Sequence, residues 1–218
     1  MNQFLTIAIP KGRILKESIE LFGVIGIDLT SMLEDSRKLI FEYPEQKIRA
    51  LIVRATDVPT YVEHGCADLG IVGKDTLLEQ DKDIYEPLDL GFGYCRMMVA
   101  GPTGDGVTQR IAQGAHIRVA TKYPHVAEHY FAGRGVQAEI IKLYGSIELA
   151  PLVGLSECIV DLVSTGETLR QNGLIELEHI AEITTRLVVN RASLKTKHVR
   201  IRSIIDGLEQ VLYTRSNT

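Results

Sequence analysis

Short β-rich runs alternate with amphipathic segments along almost the whole chain, and that alternation restricts the fold more than any other feature. Leu5–Ile9 reads as a buried strand, Pro10-Lys11-Gly12-Arg13 breaks it, and a helical pattern follows from about Ile14 to Phe22. Arg37–Tyr43 and Ile48–Arg54 read as strands. Asp57–Glu63 reads as a short helix, with Asp57 as N-cap and Pro59 in its first turn. Ala67–Gly73 is a strand that ends in glycine. The pattern then repeats, with strands at Ile117–Thr121, Ala138–Leu143, Ile159–Val163 and Ile183–Val189. Helices are expected at Val126–Ala132, Glu148–Val153, Thr168–Asn172 and Val199–Leu212. Such alternation implies an α/β sheet with helices on both faces.

The 218 residues suffice for one large core or two small ones, and their 45% hydrophobic and 24% charged content is ordinary for a globular chain. Two α/β units of about 90 to 120 residues fit that length. Pro102-Thr103-Gly104-Asp105-Gly106 is the strongest break, and Gly91-Phe92-Gly93 reads as a crossover between domains. Periodicity leaves open whether the last strand and helix stay with the second unit or return to the first. Only the end, Thr214–Thr218, reads as frayed.

The formal charge of −4 argues against a broad nucleic-acid-binding face but leaves room for small anionic substrates in a locally positive site. Cys66, Cys95 and Cys158 are odd in number and far apart, which reads as reduced thiols. No run approaches the roughly 18 apolar residues of a membrane helix. Met1–Leu5 lacks the basic start of a signal peptide. These features together predict a soluble, cytoplasmic protein.

The sharpest segment is Val160-Asp161-Leu162-Val163-Ser164-Thr165-Gly166-Glu167-Thr168-Leu169. An apolar strand runs into a hydroxyl-rich loop and then a helix start, which aims backbone N–H groups and threonine hydroxyls at one spot. A phosphate fits there. Gly166 lets the backbone approach closely, and Asp161 is placed to accept from ribose hydroxyls. The same pattern is also that of a plain strand–turn–helix junction with Thr165 or Thr168 as N-cap. Glu167 is compatible with a phosphate only if its side chain points away along the first helical turn.

This segment resembles the phosphoribosyl-pyrophosphate loop of ATP phosphoribosyltransferases, the first enzymes of histidine biosynthesis. Pro10–Arg13 is similar to that family's N-terminal loop, and Ser36–Leu39 and Val53–Pro59 to its two arginine segments. Ala67–Asp75 and Lys142–Pro151 match further family segments, so the resemblance covers nearly the whole chain in order. It implies a two-domain periplasmic-binding-protein-like (type II) α/β fold with a central cleft. Domain I would comprise residues 1–90 with 181–218, and domain II residues 91–180. The chain ends soon after Leu212, which resembles the short form and implies a separate regulatory subunit similar to histidyl-tRNA synthetase, with a homodimer inside the assembly.

In the implied reaction the purine N1 of ATP attacks the anomeric carbon of the donor and pyrophosphate leaves. No protein nucleophile is needed. The difficulty is to join two polyanions, which calls for cationic clamps and Mg²⁺ held through substrate phosphates. The resemblance makes Arg54, Arg37 and Lys11 the catalytic cations, at strand ends where α/β sheets bind ligands. It makes Arg13, Asp75, Glu148, Asp161, Ser164, Thr165, Gly166, Glu167 and Thr168 substrate-binding. Glu148 serves equally well as a favourable charge at a helix start.

Two other classes are weighed against this. His125-Val126-Ala127-Glu128-His129 matches the H-x-x-E-H of some zinc peptidases, but no downstream acidic ligand is compellingly placed. A two-domain fold can also bind a small anion without catalysis, although neither a signal peptide nor a DNA-binding helix-turn-helix accompanies it here.

Overall fold

The strand predicted first in the chain, β1 (Leu5–Pro10), is buried at every residue because both its faces are covered. The computed structural model describes residues 4–34, 37–104 and 106–216. Ser36 of the first arginine segment, Asp105 of the glycine-rich break, Met1–Gln3 and the last two residues of Thr214–Thr218 lie outside them.

The chain divides into two units, Met1–Gly93 with Thr184–Thr218, and Tyr94–Ile183. In the first unit β1 sits inside a six-stranded sheet. Its neighbours are β3 (Ile48–Val53) and β4 (Leu69–Gly73), both parallel to it. β2 (Ile40–Tyr43) flanks β3 at one edge, and β11 (Thr185–Val189) and then β5 (Tyr85–Asp89) extend the other side. β2 and β11 run antiparallel to β3 and β4.

Alternation along β1 separates two cores. Leu5, Ile7 and Ile9 pack with Ile19 and Phe22 of α1 (Arg13–Val24) and with Ile201, Ile204, Ile205 and Leu208 of α9 (His198–Ser216). The α9 residues recur at helical spacing, and burying each contributes roughly 1.5–3 kcal/mol. On the opposite face Ala8 meets Val58 and Val62 of α2 (Val58–Glu63). Gly70 is required there, since a Cβ on it would lie 2.7 Å from a methyl group of each valine.

The second unit has a five-stranded sheet in the order β10 (Leu174–Ile183), β6 (Cys95–Pro102), β9 (Cys158–Val163), β7 (Ile117–Thr121), β8 (Ala138–Lys142). The last three are parallel, so Val163, Thr121 and Lys142 end at one edge. β6 runs antiparallel to both β9 and β10. Helices α4 (Val107–Ala112), α5 (Pro124–Ala132), α6 (Leu149–Leu152) and α7 (Glu167–Gln171) connect these strands.

Several expected boundaries are corrected. Arg37–Leu39 is not strand; pairing starts at Ile40, on an edge with a single partner. Asp57 does not cap a helix with its side chain. It ends a 3-10 turn, Ala55–Asp57, ahead of α2. The helix expected at Glu148 begins at Leu149, and the one expected at Thr168 begins at Glu167. β5, β6 and β10 were not anticipated. β10 carries leucine, glutamate and alanine, which favour helix, and two irregularities in its register blur the alternation. Pairing with β6 overrides that local preference. The return strand β11, α8 (Arg191–Thr196) and α9 belong to the first unit, which answers what periodicity left open. Among the described residues no helix is long and apolar enough to cross a membrane.

Candidate active site

In the second unit, β9 delivers its chain to the edge where the parallel strands end, and Ser164–Thr168 turns there. The loop, together with Glu148, Asp161–Val163 and Leu169, lines a cavity of about 170 Å³. Gly166 has φ 74° and ψ 4°, a left-handed conformation that glycine adopts without strain. The amides of Thr165, Gly166 and Thr168 have no acceptor among the described residues. Thr165 Oγ1 accepts weakly, at 3.4 Å, from the Glu167 amide, and its carbonyl accepts from Arg170 Nη1 at 3.2 Å. The N-cap is Gly166 with no side-chain cap, so neither threonine caps α7 in the way a plain junction would use it. α7 has five residues, and its macrodipole is correspondingly small. The loop amides and hydroxyls are the stronger anion-binding groups.

Glu167 is turned away from the loop. Its two oxygens accept from Arg170 Nη2 at 2.7 Å and Gln171 Nε2 at 2.9 Å. Those hydrogen bonds, Arg170's first, hold its carboxyl below the usual range. Behind the loop Arg96 grips Glu176 through two hydrogen bonds of 2.6 and 2.9 Å. A Cβ on Gly166 would come within 3.2 Å of Glu176 Oε1.

Asp161 is half-buried on β9, where Oδ1 accepts from the Leu162 amide at 2.8 Å. Burial pushes its carboxyl above the usual carboxylate range. The Leu162 amide and Lys122 oppose that shift, and Glu148 reinforces it. Glu148 precedes α6 with its side chain outside any cap bond. Asp161 and Glu148 therefore line the cavity together with the hydroxyls and amides of the turn and the apolar Leu162, Val163 and Leu169.

In the first unit a second constellation forms. Register pairs Pro10 with Val53, so Lys11 and Arg54 leave parallel strands side by side. With Leu39, Asp57 and Tyr61 they line a pocket of about 530 Å³. Both cations are exposed and form no ion pair with a described residue. Tyr61, which the sequence reading does not single out, reaches this pocket from α2, the helix that follows the Ala55–Asp57 turn. Arg13, Arg37 and Asp75 line neither pocket. Arg13 opens α1 and pairs with Glu17, Arg37 is exposed ahead of β2, and Asp75 lies in the first turn of α3 (Lys74–Gln80). Among the described residues no three His, Cys, Asp or Glu side chains converge to hold a metal, so His125 and His129 gain no third ligand.

The model of the family described as HisG, ATP phosphoribosyltransferase, matches residues 54–210. An ATP phosphoribosyltransferase of Geobacter metallireducens is 73% identical over 210 residues, covering 96% of this chain and 99% of the relative. The chain belongs to the ATP phosphoribosyltransferase family. It is a transferase of the glycosyltransferase type, acting in histidine biosynthesis. ATP phosphoribosyltransferase 2 of Geobacter sulfurreducens, 72% identical, again covers 96% of this chain and 99% of the relative, an extent consistent with the short form of the family. The ATP phosphoribosyl transferase (HisG:HisZ) complex from Thermotoga maritima superposes with a TM-score of 0.82 and 38% identity, over 97% of this chain and all of that one. The periplasmic aliphatic sulphonate binding protein SsuA of Escherichia coli shares the fold, at a TM-score of 0.60 and 15% identity over 99% of this chain and 75% of its own. The architecture is thus the family's two-unit, periplasmic-binding-protein-like α/β fold.

Proposed function

We propose that phosphoribosyl pyrophosphate sets its 5′-phosphate on Ser164–Thr168 and its ribose hydroxyls on Asp161 and Glu148. Lys11, Arg37 and Arg54 then serve the departing pyrophosphate and the phosphates of ATP, with Arg13 and Asp75 nearby on the nucleotide. The observation that carries this reading is the loop. Three uncommitted amides surround a cavity from which the one carboxylate of the turn, Glu167, is diverted by Arg170 and Gln171.

The reaction breaks the C1′–O bond to pyrophosphate while purine N1 of ATP forms a bond to C1′. Negative charge grows on the leaving oxygen, and fixed cations stabilise it more than they stabilise the bound donor. Arginine suits this role because its fork holds two phosphate oxygens. A divalent cation would be held through the substrate phosphates, with Glu148 at the cavity placed to accept from a water bound to it. Bound Mg²⁺ would neutralise pyrophosphate charge.

By analogy with the Thermotoga complex, which pairs HisG with HisZ, the chain works with a regulatory subunit similar to histidyl-tRNA synthetase, as a homodimer within that assembly, in the cytoplasm. The test is pyrophosphate release from ATP and phosphoribosyl pyrophosphate, with the purified chain alone and with that subunit. Release in at least one arm is expected; none in either would overturn the reading.

A further inference from the structure

The loop cavity has a cationic neighbour that the roles above leave unused. Register pairs Thr121 with Val160 and Met98 with Asp161, so Lys122 follows β7 in the row beside Asp161. Ile159 and Val163, two residues either side of Asp161, pack with Ala120, Ile147 and Leu169. Two-residue alternation therefore puts Asp161 and Lys122 on the sheet face that carries α6 and α7. Lys122 is exposed, with its ammonium 5.8 Å from the Tyr123 ring centre, and it forms no ion pair with a described residue. The other cations of this region are engaged: Arg170 with Glu167 and Arg96 with Glu176. Lys142 lies one strand farther away, over the Tyr144 ring.

We propose that Lys122 is a further donor-binding residue, whose ammonium holds the pyrophosphate end of phosphoribosyl pyrophosphate. This rests on the reading that the 5′-phosphate occupies Ser164–Thr168. The donor carries its two anionic groups at opposite ends of a ribose, with the hydroxyls between them. The unit offers matching groups in the same sequence across the sheet. α7 and its loop pack toward β10, Asp161 lies on β9, and Lys122 follows β7 on the far side. A donor laid along that row places hydroxyls at Asp161 and pyrophosphate at Lys122. As the C1′–O bond breaks, the electron pair goes to the pyrophosphate oxygen, where a fixed ammonium is most effective. Lys122 also offsets the two carboxylates, Asp161 and Glu148, that would otherwise repel the incoming anion.

Calorimetric titration of the whole chain with two ligands separates the roles, because ribose 5-phosphate keeps the 5′-phosphate and hydroxyls but lacks pyrophosphate. Lys122→Met keeps the aliphatic stem and removes the charge. It should weaken phosphoribosyl pyrophosphate about 10-fold or more and leave ribose 5-phosphate unchanged. Lys122→Arg should restore most of the loss. Unchanged donor affinity in Lys122→Met, or an equal loss for both ligands, overturns the proposal. Thr168→Ala, run alongside, should weaken both ligands. If it weakens neither, the loop reading fails on its own arm, whatever Lys122→Met shows.

Discussion

Lys197 Nζ lies 2.7 Å from Asp68 Oδ2, and this pair anchors the returning end of the chain to the first sheet. Asp68 is almost fully buried. The same oxygen accepts from the Thr6 amide at 2.7 Å, and Oδ1 accepts from Ser193 Oγ at 2.6 Å. Lys197 also donates to the Phe4 carbonyl, while Asn190 caps α8 at Ser193 and donates to the Val62 carbonyl. Every polar atom of Asp68 is satisfied by elements from opposite ends of the sequence.

Asp68→Ala would leave a largely buried ammonium and the Thr6 amide without their acceptor. It should cost about 3–5 kcal/mol, read as a fall in the urea midpoint. Lys197→Met should cost clearly less, since Asp68 keeps Thr6 and Ser193. Equal, small losses in both variants would show that the cluster does not anchor the C-terminal segment.

Arg54→Ala should lower turnover about 10²-fold or more, the loss seen when one preorganised charge donor is removed. Its side chain is exposed and unpaired among the described residues, so the thermal midpoint should hold. Near-normal turnover removes Arg54 from the mechanism.

Asp161→Asn tests the electrostatics of the cavity. Its carboxyl is held above the usual range mainly by burial, so the folded state favours the neutral form. That contribution to stability is fully present below the unfolded value, about 4, and is lost as pH rises through the folded value. The variant should therefore melt higher than the parent at neutral pH and lose that advantage near pH 4. Donor binding should weaken at the same time. A variant with lower stability at neutral pH would contradict this.

How much was legible in the sequence depends on where the information resides. The chemistry-bearing turn at Ser164–Thr168 is local, and its glycine, hydroxyls and strand could be read directly. So could the strand ends that carry Lys11 and Arg54, because Pro10 and the 3-10 turn punctuate them. The fate of Glu167 was stated as a condition, and it is met by Arg170 and Gln171 three and four residues on. β10 was illegible because its residues favour helix and only pairing with β6 makes it a strand. Lys122 was passed over for the same reason: its row beside Asp161 exists in the sheet register, 39 residues apart in sequence.

The loop assignment also makes a direct energetic claim. Thr168→Ala should weaken donor binding by about 1.5–3 kcal/mol, the value of a hydrogen bond to a charged group. Gly166→Val should do worse. It forces a β-branched residue to φ 74° and presses a Cβ toward Glu176, which Arg96 holds in place. ATP binding to the free enzyme should change much less in both. A Thr168→Ala chain that binds the donor normally but loses ATP would invert the assignment.

The most direct test is a crystal structure of the chain with phosphoribosyl pyrophosphate bound. The 5′-phosphate should lie within hydrogen-bonding distance of the Thr165, Gly166 and Thr168 amides, with a ribose hydroxyl on Asp161. A 5′-phosphate held instead by Lys11 and Arg54, with Ser164–Thr168 empty, would contradict it.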